Sequence, residues 1–322
     1  MERFFFNSGN GTNIMKISQD TLRKKMLGCF LGKSAGGTLG QPYEGWEGPL
    51  GLTYYDPVPT DMIPNDDLDL QVLWADCLAR QAEPVVDRDL FGRAWVEHVH
   101  FPWSEYGIAI RNLKLGIPAT WSGRYDNWFK DGLGAAIRSE IWACLAPGNP
   151  ELAAKFMRED AMVDHVGEGV NAAVFLAVLE SAAFVESDME KLLDTALAAI
   201  PAECGIARAV RDADKLDIFP ILLEYLAQPD NEVVVLNLKP SPELTPAVLN
   251  DMLAGRCPKL RDLKTKTDFL VAKLLWINDL NFRHSLREFR RRDYVGRLSR
   301  YLPDTPEVRT IRAAVEARLA QA

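Results

Sequence analysis

The chain is expected to be an all-α protein, and the spacing of its apolar residues is the main reason. After Asp66 the apolar residues Leu70, Leu73 and Leu78 recur at helical spacing, and similar patterns continue almost to residue 200. Segments rich in glycine and proline, residues 41–64 and 147–150, separate these patterns. The 322 residues are 48% hydrophobic and 25% charged, which is typical of a globular protein of one large or two smaller domains.

Individual helices follow from the same spacing and from their capping residues. Ser18 precedes a pattern that runs into a glycine-rich segment ending at Gly40. Further helices are expected from Asp66 to about Gln81 and from Asp87 to Val99. Residues 101–130 mix aromatic residues with glycine, Trp103 among them, and are expected to be irregular. A long helical run should follow Pro150 and contain Asp164 and His165, while Glu232 to Leu238 is the one short extended piece expected.

Charge and cysteine usage restrict the classes of function. The net charge of −8 gives no electrostatic footprint for nucleic acid or for an anionic membrane, so neither partner is expected. No apolar stretch is long enough to span a membrane. Residues 1–15 are expected to be a loose leader, because three phenylalanines in a row are too few for a signal peptide. Five separated cysteines predict reduced core residues of a cytoplasmic protein.

An acidic helix start, residues 64–71, is the most informative stretch of the sequence. Asn65 is a good N-cap, and Asp66 and Asp67 favour the positive end of the helix dipole. Capping alone would explain these residues. The alternative is a site for a hard cation with oxygen ligands, since two carboxylates and an amide share one helix tip and Glu44 lies just upstream.

A second segment, residues 131–138, combines glycines with the start of a helix. Gly132 and Gly134 would leave backbone amides free to bind a phosphate or diphosphate, although no strand precedes them as in a Rossmann fold. Further along, Asp164 and His165 are either buried, satisfied polar groups or ligands.

Taken in order, several segments resemble the ADP-ribosylglycohydrolases over residues 20 to 205. The segments are Gly36 to Gly40 with Glu44 and Gly45, Asn65-Asp66-Asp67, Gly132 to Arg138, Asp164-His165, and Ala182 to Val185. The resemblance implies an all-α fold with a Mg²⁺ site. It also implies hydrolysis of the glycosidic bond that joins ADP-ribose to a protein side chain or a small leaving group.

The resemblance also assigns roles to single residues. Asn65, Asp66 and Asp67 match the family's first metal-ligand motif. Glu44 matches an acidic residue near the scissile ribose, so that Glu44 and Asp66 are the catalytic candidates. The substrate-binding candidates are the residues of the diphosphate loop and the substrate-side histidine: Gly132, Leu133, Gly134, Ala135 and His165. Carboxylates of this kind can stabilise an oxocarbenium-like transition state, and a bound magnesium ion can orient a water.

The C-terminal part departs from this family. The late Gly-x-Asp-Thr-Asp segment that completes the family's metal site is absent after residue 205. Instead, the segment around Asp212 and Asp214 resembles the C-terminal part of HD-domain phosphohydrolases, in which the position of Asp214 is a metal ligand. No His-Asp dipeptide is present to complete such a site. We therefore hypothesise that the front of one all-α hydrolase is joined to the back of another near residues 203–212, by gene fusion or by an assembly deletion. Alternatively, Asp212 and Asp214 replace the missing metal ligands.

The expected domains are the leader 1–15, a glycohydrolase-like part 16–205 and an HD-like part 206–322. Three functions follow as alternatives: a magnesium-dependent ADP-ribosylglycohydrolase-like hydrolase, a non-catalytic relative that binds ADP-ribose or a nucleotide, and an HD-type phosphohydrolase, which would need histidine ligands. Helix faces that both parent folds would normally cover are expected to remain exposed and to favour self-association.

Overall fold

The computed structural model describes residues 17–46, 50–61, 65–100, 104–228, 238–254 and 256–321. Helices form the regular structure of these residues. Their only β-type pairing is an isolated parallel bridge between Lys239 and Thr265. The expected all-α class is therefore confirmed. None of the described helices combines the length and the apolar character needed to cross a membrane.

The helices are numbered in chain order. They are α1 (Gln19–Gly40), α2 (Asp66–Ala79), α3 (Arg88–His98), α4 (Ser104–Lys114), α5 (Ala119–Ser122), α6 (Glu140–Leu145), α7 (Pro150–Ala161), α8 (Gly167–Ala182), α9 (Met189–Ala198), α10 (Gly205–Leu226), α11 (Pro246–Leu253), α12 (Lys266–Leu275), α13 (Arg283–Arg291), α14 (Tyr294–Ser299) and α15 (Pro306–Ala320).

Helix starts agree with the capping residues in the sequence. The side chains of Ser18, Asn65 and Asp87 each accept a hydrogen bond from a backbone N–H in the first turn of α1, α2 and α3. Each of these bonds satisfies a donor that a helix start otherwise leaves free.

The chain divides into two compact units, Met1–Ile206 and Ala207–Ala322. In the first unit α8 packs against α6, α7 and α9. An aromatic cluster fills the neighbouring core: the ring of Trp74 lies 5.0 Å from Phe91 and 5.8 Å from Trp95, and Phe91 lies 5.3 Å from Trp142. All four rings are fully buried. This core supports the helices that carry the candidate site.

The second unit has its own core. The ring of Phe219 lies 4.7 Å from Phe289 and 4.8 Å from Tyr294, and all three side chains are almost completely buried. Helices α12 and α15 pack beside this cluster. The assignment of the two parts of the chain to two parent families remains a prediction.

Three local expectations were wrong. Residues 101–130 contain α4 and α5, because Tyr106, Ala109 and Ile110 form a buried helical face that the surrounding aromatic residues and glycines obscure. Asp164 and His165 lie between α7 and α8, because α7 already ends at Ala161 and α8 begins only at Gly167, whose φ is +54°. Finally, the glycines near residue 132 lead into a single 3₁₀ turn before α6 begins.

Other expectations concern residues outside the described part of the chain. These are the leader 1–15, Pro64, Trp103 and the extended piece up to residue 237.

Candidate functional site

The start of α2 presents the two aspartates of the acidic helix start. Asn65 Oδ1 accepts a hydrogen bond from the Asp67 N–H at 3.0 Å, which fixes the first turn. The Asn65 side chain also lies against α1, where a Cβ atom on Gly37 would come 2.3 Å from Asn65 Nδ2. Gly37 therefore allows α1 to approach the capped end of α2. This hydrogen bond confirms the predicted role of Asn65 as the N-cap of α2.

The carboxylates of Asp67 and its neighbour Glu140 differ in their partners. Lys33 Nζ lies 2.7 Å from Glu140 Oε1, and Gln71 Nε2 donates to Glu140 Oε2 at 2.9 Å. Within the described residues the Asp67 carboxylate accepts no hydrogen bond and forms no ion pair. Burial raises the pKa of Asp67, Lys33 opposes that rise, and the carboxylates of Asp66, Glu140 and Glu44 add to it. A bound cation would relieve this repulsion.

The residues present partly fit a magnesium ion. Among the described residues no three His, Cys, Asp or Glu side chains lie close enough together to hold a metal ion. Mg²⁺, however, often keeps several waters and binds through one or two carboxylates. Asp66 and Asp67 supply two adjacent carboxylates, and in the described structure only Asp66 of the pair has a donor, the Tyr106 hydroxyl at 3.5 Å. This donor set suits a hydrated ion on two carboxylates.

The glycine loop, residues 131–135, carries free backbone donors. Within the described part of the chain the N–H groups of Leu133, Gly134 and Ala135 have no acceptor. The Leu133 side chain is exposed, and the aromatic rings of Trp128 and Phe129 are exposed just before the loop. Ala135 is fully buried, so Leu133 and Gly134 carry the amides suited to an anion, beside aromatic surface suited to a planar group.

Arg138 binds the backbone of the glycine loop from the protein interior. Its Nη1 atom donates to the Gly134 carbonyl at 2.7 Å. Its Nε donates to Asp160 at 3.0 Å, and its Nη2 donates to Asp164 Oδ1 at 2.6 Å. All three side chains are fully buried. The carbonyl of Gly134 is thereby directed towards Arg138.

The two aspartates beside Arg138 differ in their pKa. Burial opposes the ionisation of Asp164, but Arg138 and His165 outweigh it and lower the pKa of Asp164 to about 2. Burial raises the pKa of Asp160 despite the same guanidinium. Asp164 is therefore the firmly ionised partner, and it also lies 3.1 Å from His165 Nδ1, an ion-pair distance without hydrogen-bond alignment.

His165 is buried against the glycine loop. Its Nε2 lies 3.7 Å from Glu105 Oε1. A Cβ atom on Gly134 would lie 2.0 Å from that same Glu105 oxygen, and a Cβ on Gly169 would lie 2.6 Å from His165 Cδ2. Side chains at these two glycine positions would displace the histidine or its partner. A side chain at the second glycine of the Gly-x-Gly pair would therefore require Glu105 to shift.

Helix α4 connects the acidic helix start with the glycine loop. Glu105, in its first turn, lies beside His165 and Gly134, while the adjacent Tyr106 donates its hydroxyl hydrogen bond to Asp66. Sequence reasoning missed Glu105 altogether and treated Tyr106 only as one of several aromatic residues. The signal that could have found them was the helical spacing of Tyr106, Ala109 and Ile110.

A protein-family model matches most of the chain. The family model described as ADP-ribosylglycohydrolase matches residues 18–247. The chain belongs to the ADP-ribosylglycohydrolase family. Searches of curated proteins and of solved structures found no match. The family match continues past the junction hypothesised near residues 203–212, whereas the HD-type resemblance of the C-terminal part stays a hypothesis.

The late aspartates lie in the second unit, on α10, and have different surroundings. Asp212 is buried and its carboxylate accepts hydrogen bonds from the Asn281 N–H at 2.9 Å, the Asn281 side chain at 2.8 Å and the Phe282 N–H at 3.1 Å. Asp214 is exposed. The contacts of Asp212 support a structural role just before α13. Whether the pair replaces the family's late metal ligands remains a prediction.

Proposed function

We propose that this member of the ADP-ribosylglycohydrolase family hydrolyses the glycosidic bond of an ADP-ribosyl conjugate. The observation that supports the proposal is the position of α4, whose first turn contacts both Asp66 and the glycine loop. In this proposal the conjugate binds at two places: its diphosphate at the glycine loop and its scissile ribose at the acidic helix start.

The diphosphate binds at the glycine loop in this proposal. The N–H groups of Leu133 and Gly134 donate to its oxygens, and Arg138 keeps the Gly134 carbonyl away from them. Trp128 and Phe129 offer exposed rings for the adenine. His165 and Glu105 support the loop from the protein interior.

The scissile ribose lies at the acidic helix start. Asp66 and Asp67, with Asn65 beside them, would hold Mg²⁺. When bound, the ion would supply positive charge that fixes the ribose hydroxyls and orients a nucleophilic water. Glu44 accepts a proton from water as the water oxygen bonds to the anomeric carbon; the bond to the leaving group breaks, and the leaving group takes up a proton from solvent. The products are ADP-ribose and the free side chain or small molecule.

The test is magnesium-dependent release of ADP-ribose from arginine-linked, serine-linked and small-molecule conjugates. We expect release by the native chain and a loss of about 100-fold or more in the Asp67→Asn variant, because the variant removes one of two ligand charges. Asp69→Asn is the matched control, since Asp69 lies exposed in the same helical turn. No release from any conjugate by the folded native chain would contradict hydrolysis.

A second candidate is a non-catalytic protein that binds ADP-ribose. The observation in its favour is that the described residues contain no group of three acidic, cysteine or histidine side chains suited to a metal. Titration calorimetry with ADP-ribose separates the two candidates. Binding that survives Asp67→Asn, combined with no release, would establish the binding function instead.

A further inference from the structure

Cys29 lies on α1 and Cys144 on α6, and these two helices pack against each other. Lys33 on α1 pairs with Glu140, the first residue of α6, at 2.7 Å. Cys29 lies one turn before Lys33, and Cys144 lies one turn after Glu140. In two helices packed antiparallel, stepping one turn back on one and one turn forward on the other leads to the next facing pair.

Apolar packing also places Cys144 against α1. Cys144 belongs to a small buried cluster with Leu22, and Met26 and Phe30 of α1 pack against it. Leu22 and Met26 lie on the same side of α1 as Cys29, because they are seven and three positions away from it. The two thiols are close enough that each alters the pKa of the other.

Cys29 also faces a cavity of about 290 Å³, whereas Cys144 is buried. The cavity is lined by Lys25, Cys29, Ala143, Glu180, Ala183 and Phe184. A small reagent that enters it meets Cys29 first. The Cys144 thiol lowers the pKa of Cys29, while burial and Glu140 oppose this effect and Lys33 favours it; the Cys29 thiol and burial raise the pKa of Cys144. The attacking thiolate is therefore on Cys29.

We propose that Cys29 and Cys144 form a reversible intramolecular disulfide when the protein meets a low-molecular-weight disulfide such as glutathione disulfide. The Cys29 thiolate attacks one sulfur of the reagent, forms a mixed disulfide and releases one glutathione thiolate. The Cys144 sulfur, after losing its proton to solvent, then attacks Cys29 and releases the second glutathione. Two protein thiols are oxidised and one glutathione disulfide is reduced to two thiols.

The experiment treats the full-length native chain with glutathione disulfide, blocks remaining thiols and maps the peptides without reduction. The expected result is one cross-linked pair containing Cys29 and Cys144, which disappears after dithiothreitol. Absence of that pair, glutathione retained on Cys29, or a cross-link to another cysteine would each overturn the proposal.

Single variants resolve the order of the steps. Cys144→Ser should accumulate glutathione on Cys29, because no second thiol remains to displace it. Cys29→Ser should leave Cys144 unmodified, since Cys144 is buried. Cys77→Ser is the matched control, because Cys77 is a half-buried helical cysteine outside the pair, and it should form the cross-link as the native chain does. A Cys77→Ser chain without the cross-link would contradict the pairing.

Discussion

Arg138 is a fully buried cation with partners for every nitrogen. Its guanidinium bonds Asp160, Asp164 and the Gly134 carbonyl, and its carbon Cζ lies 5.4 Å from the centre of the Trp95 ring. A buried charge costs several kcal/mol to desolvate, and only a complete set of partners offsets that cost. This residue therefore connects the stability of the first unit to the shape of the glycine loop.

Removing the guanidinium should be strongly destabilising. Arg138→Ala leaves two buried carboxyl groups without their cation, and we expect a loss of about 3–5 kcal/mol in the free energy of unfolding. Urea denaturation measures the loss. Arg80→Ala is the control, because Arg80 forms an exposed pair with Asp76, and its removal should have no measurable effect. Equal stability of both variants would contradict the assigned role of Arg138.

Asp164 should make the free energy of unfolding depend on pH in the acidic range. Its pKa is about 2 in the folded chain and about 3.9 in an unfolded one, so its contribution is complete above about pH 5 and is lost as the pH falls through 4 towards 2. The contribution is roughly 2–3 kcal/mol. Urea denaturation at pH 5, 4, 3 and 2 should show a steeper loss in the native chain than in Asp164→Asn, which lacks this titration. Parallel curves would show that Asp164 is not the group responsible.

At the scale of helices, α1 and α2 meet at a glycine. Gly37 leaves room for the Asn65 side chain that caps α2, whereas a Cβ atom added to Gly28, on the same helix, would meet no described atom within 4 Å. Both glycines destabilise α1, because glycine loses more conformational freedom than other residues when the chain folds. Of the two, only Gly37 is explained by packing, because its missing side chain leaves room for Asn65.

The two glycines should therefore respond differently to alanine. Gly28→Ala is expected to raise the free energy of unfolding by about 0.5–1 kcal/mol, which is the gain in helix propensity. Gly37→Ala gains the same propensity but displaces Asn65, so it should be less stable than Gly28→Ala. Urea denaturation of both variants gives the comparison. In an Asn65→Ala background the difference should shrink, and its persistence would mean that Asn65 is not the clash.

At the scale of the whole molecule, α1 is unusually exposed. Only Leu22 of its 22 residues is buried, and Leu27 and Leu31, one turn apart, are 60% and 59% exposed. Apolar side chains that share a helix face and remain in water favour association. Self-association, and its origin in helix faces that two parent folds would cover, both stay predictions.

Self-association should depend on that face. We expect the sedimentation coefficient of the native chain to rise with protein concentration, and the rise to weaken in Leu27→Gln/Leu31→Gln, because the variant removes exposed apolar area. Leu115→Gln is the control, since Leu115 is 70% exposed but lies at the end of α4. A sedimentation coefficient that does not change with concentration would contradict the prediction.

The sequence by itself determined the helical class, the family and the local chemistry of short segments. Helix spacing and N-cap residues depend on neighbours a few positions away, which is why the starts of α1, α2 and α3 were predicted at Ser18, Asn65 and Asp87. The order of the family's motifs can likewise be seen without coordinates.

Only the tertiary structure decided how those segments meet. Arg138, Asp160 and Asp164 are separated by up to 26 residues, and Tyr106 is 40 residues from Asp66, so no local pattern pairs them. The burial that opposes the ionisation of Asp164 and raises the pKa of Asp67 comes from the packing of several helices. Sequence patterns record propensity along the chain, whereas desolvation and ion pairing depend on distances that only the folded chain defines.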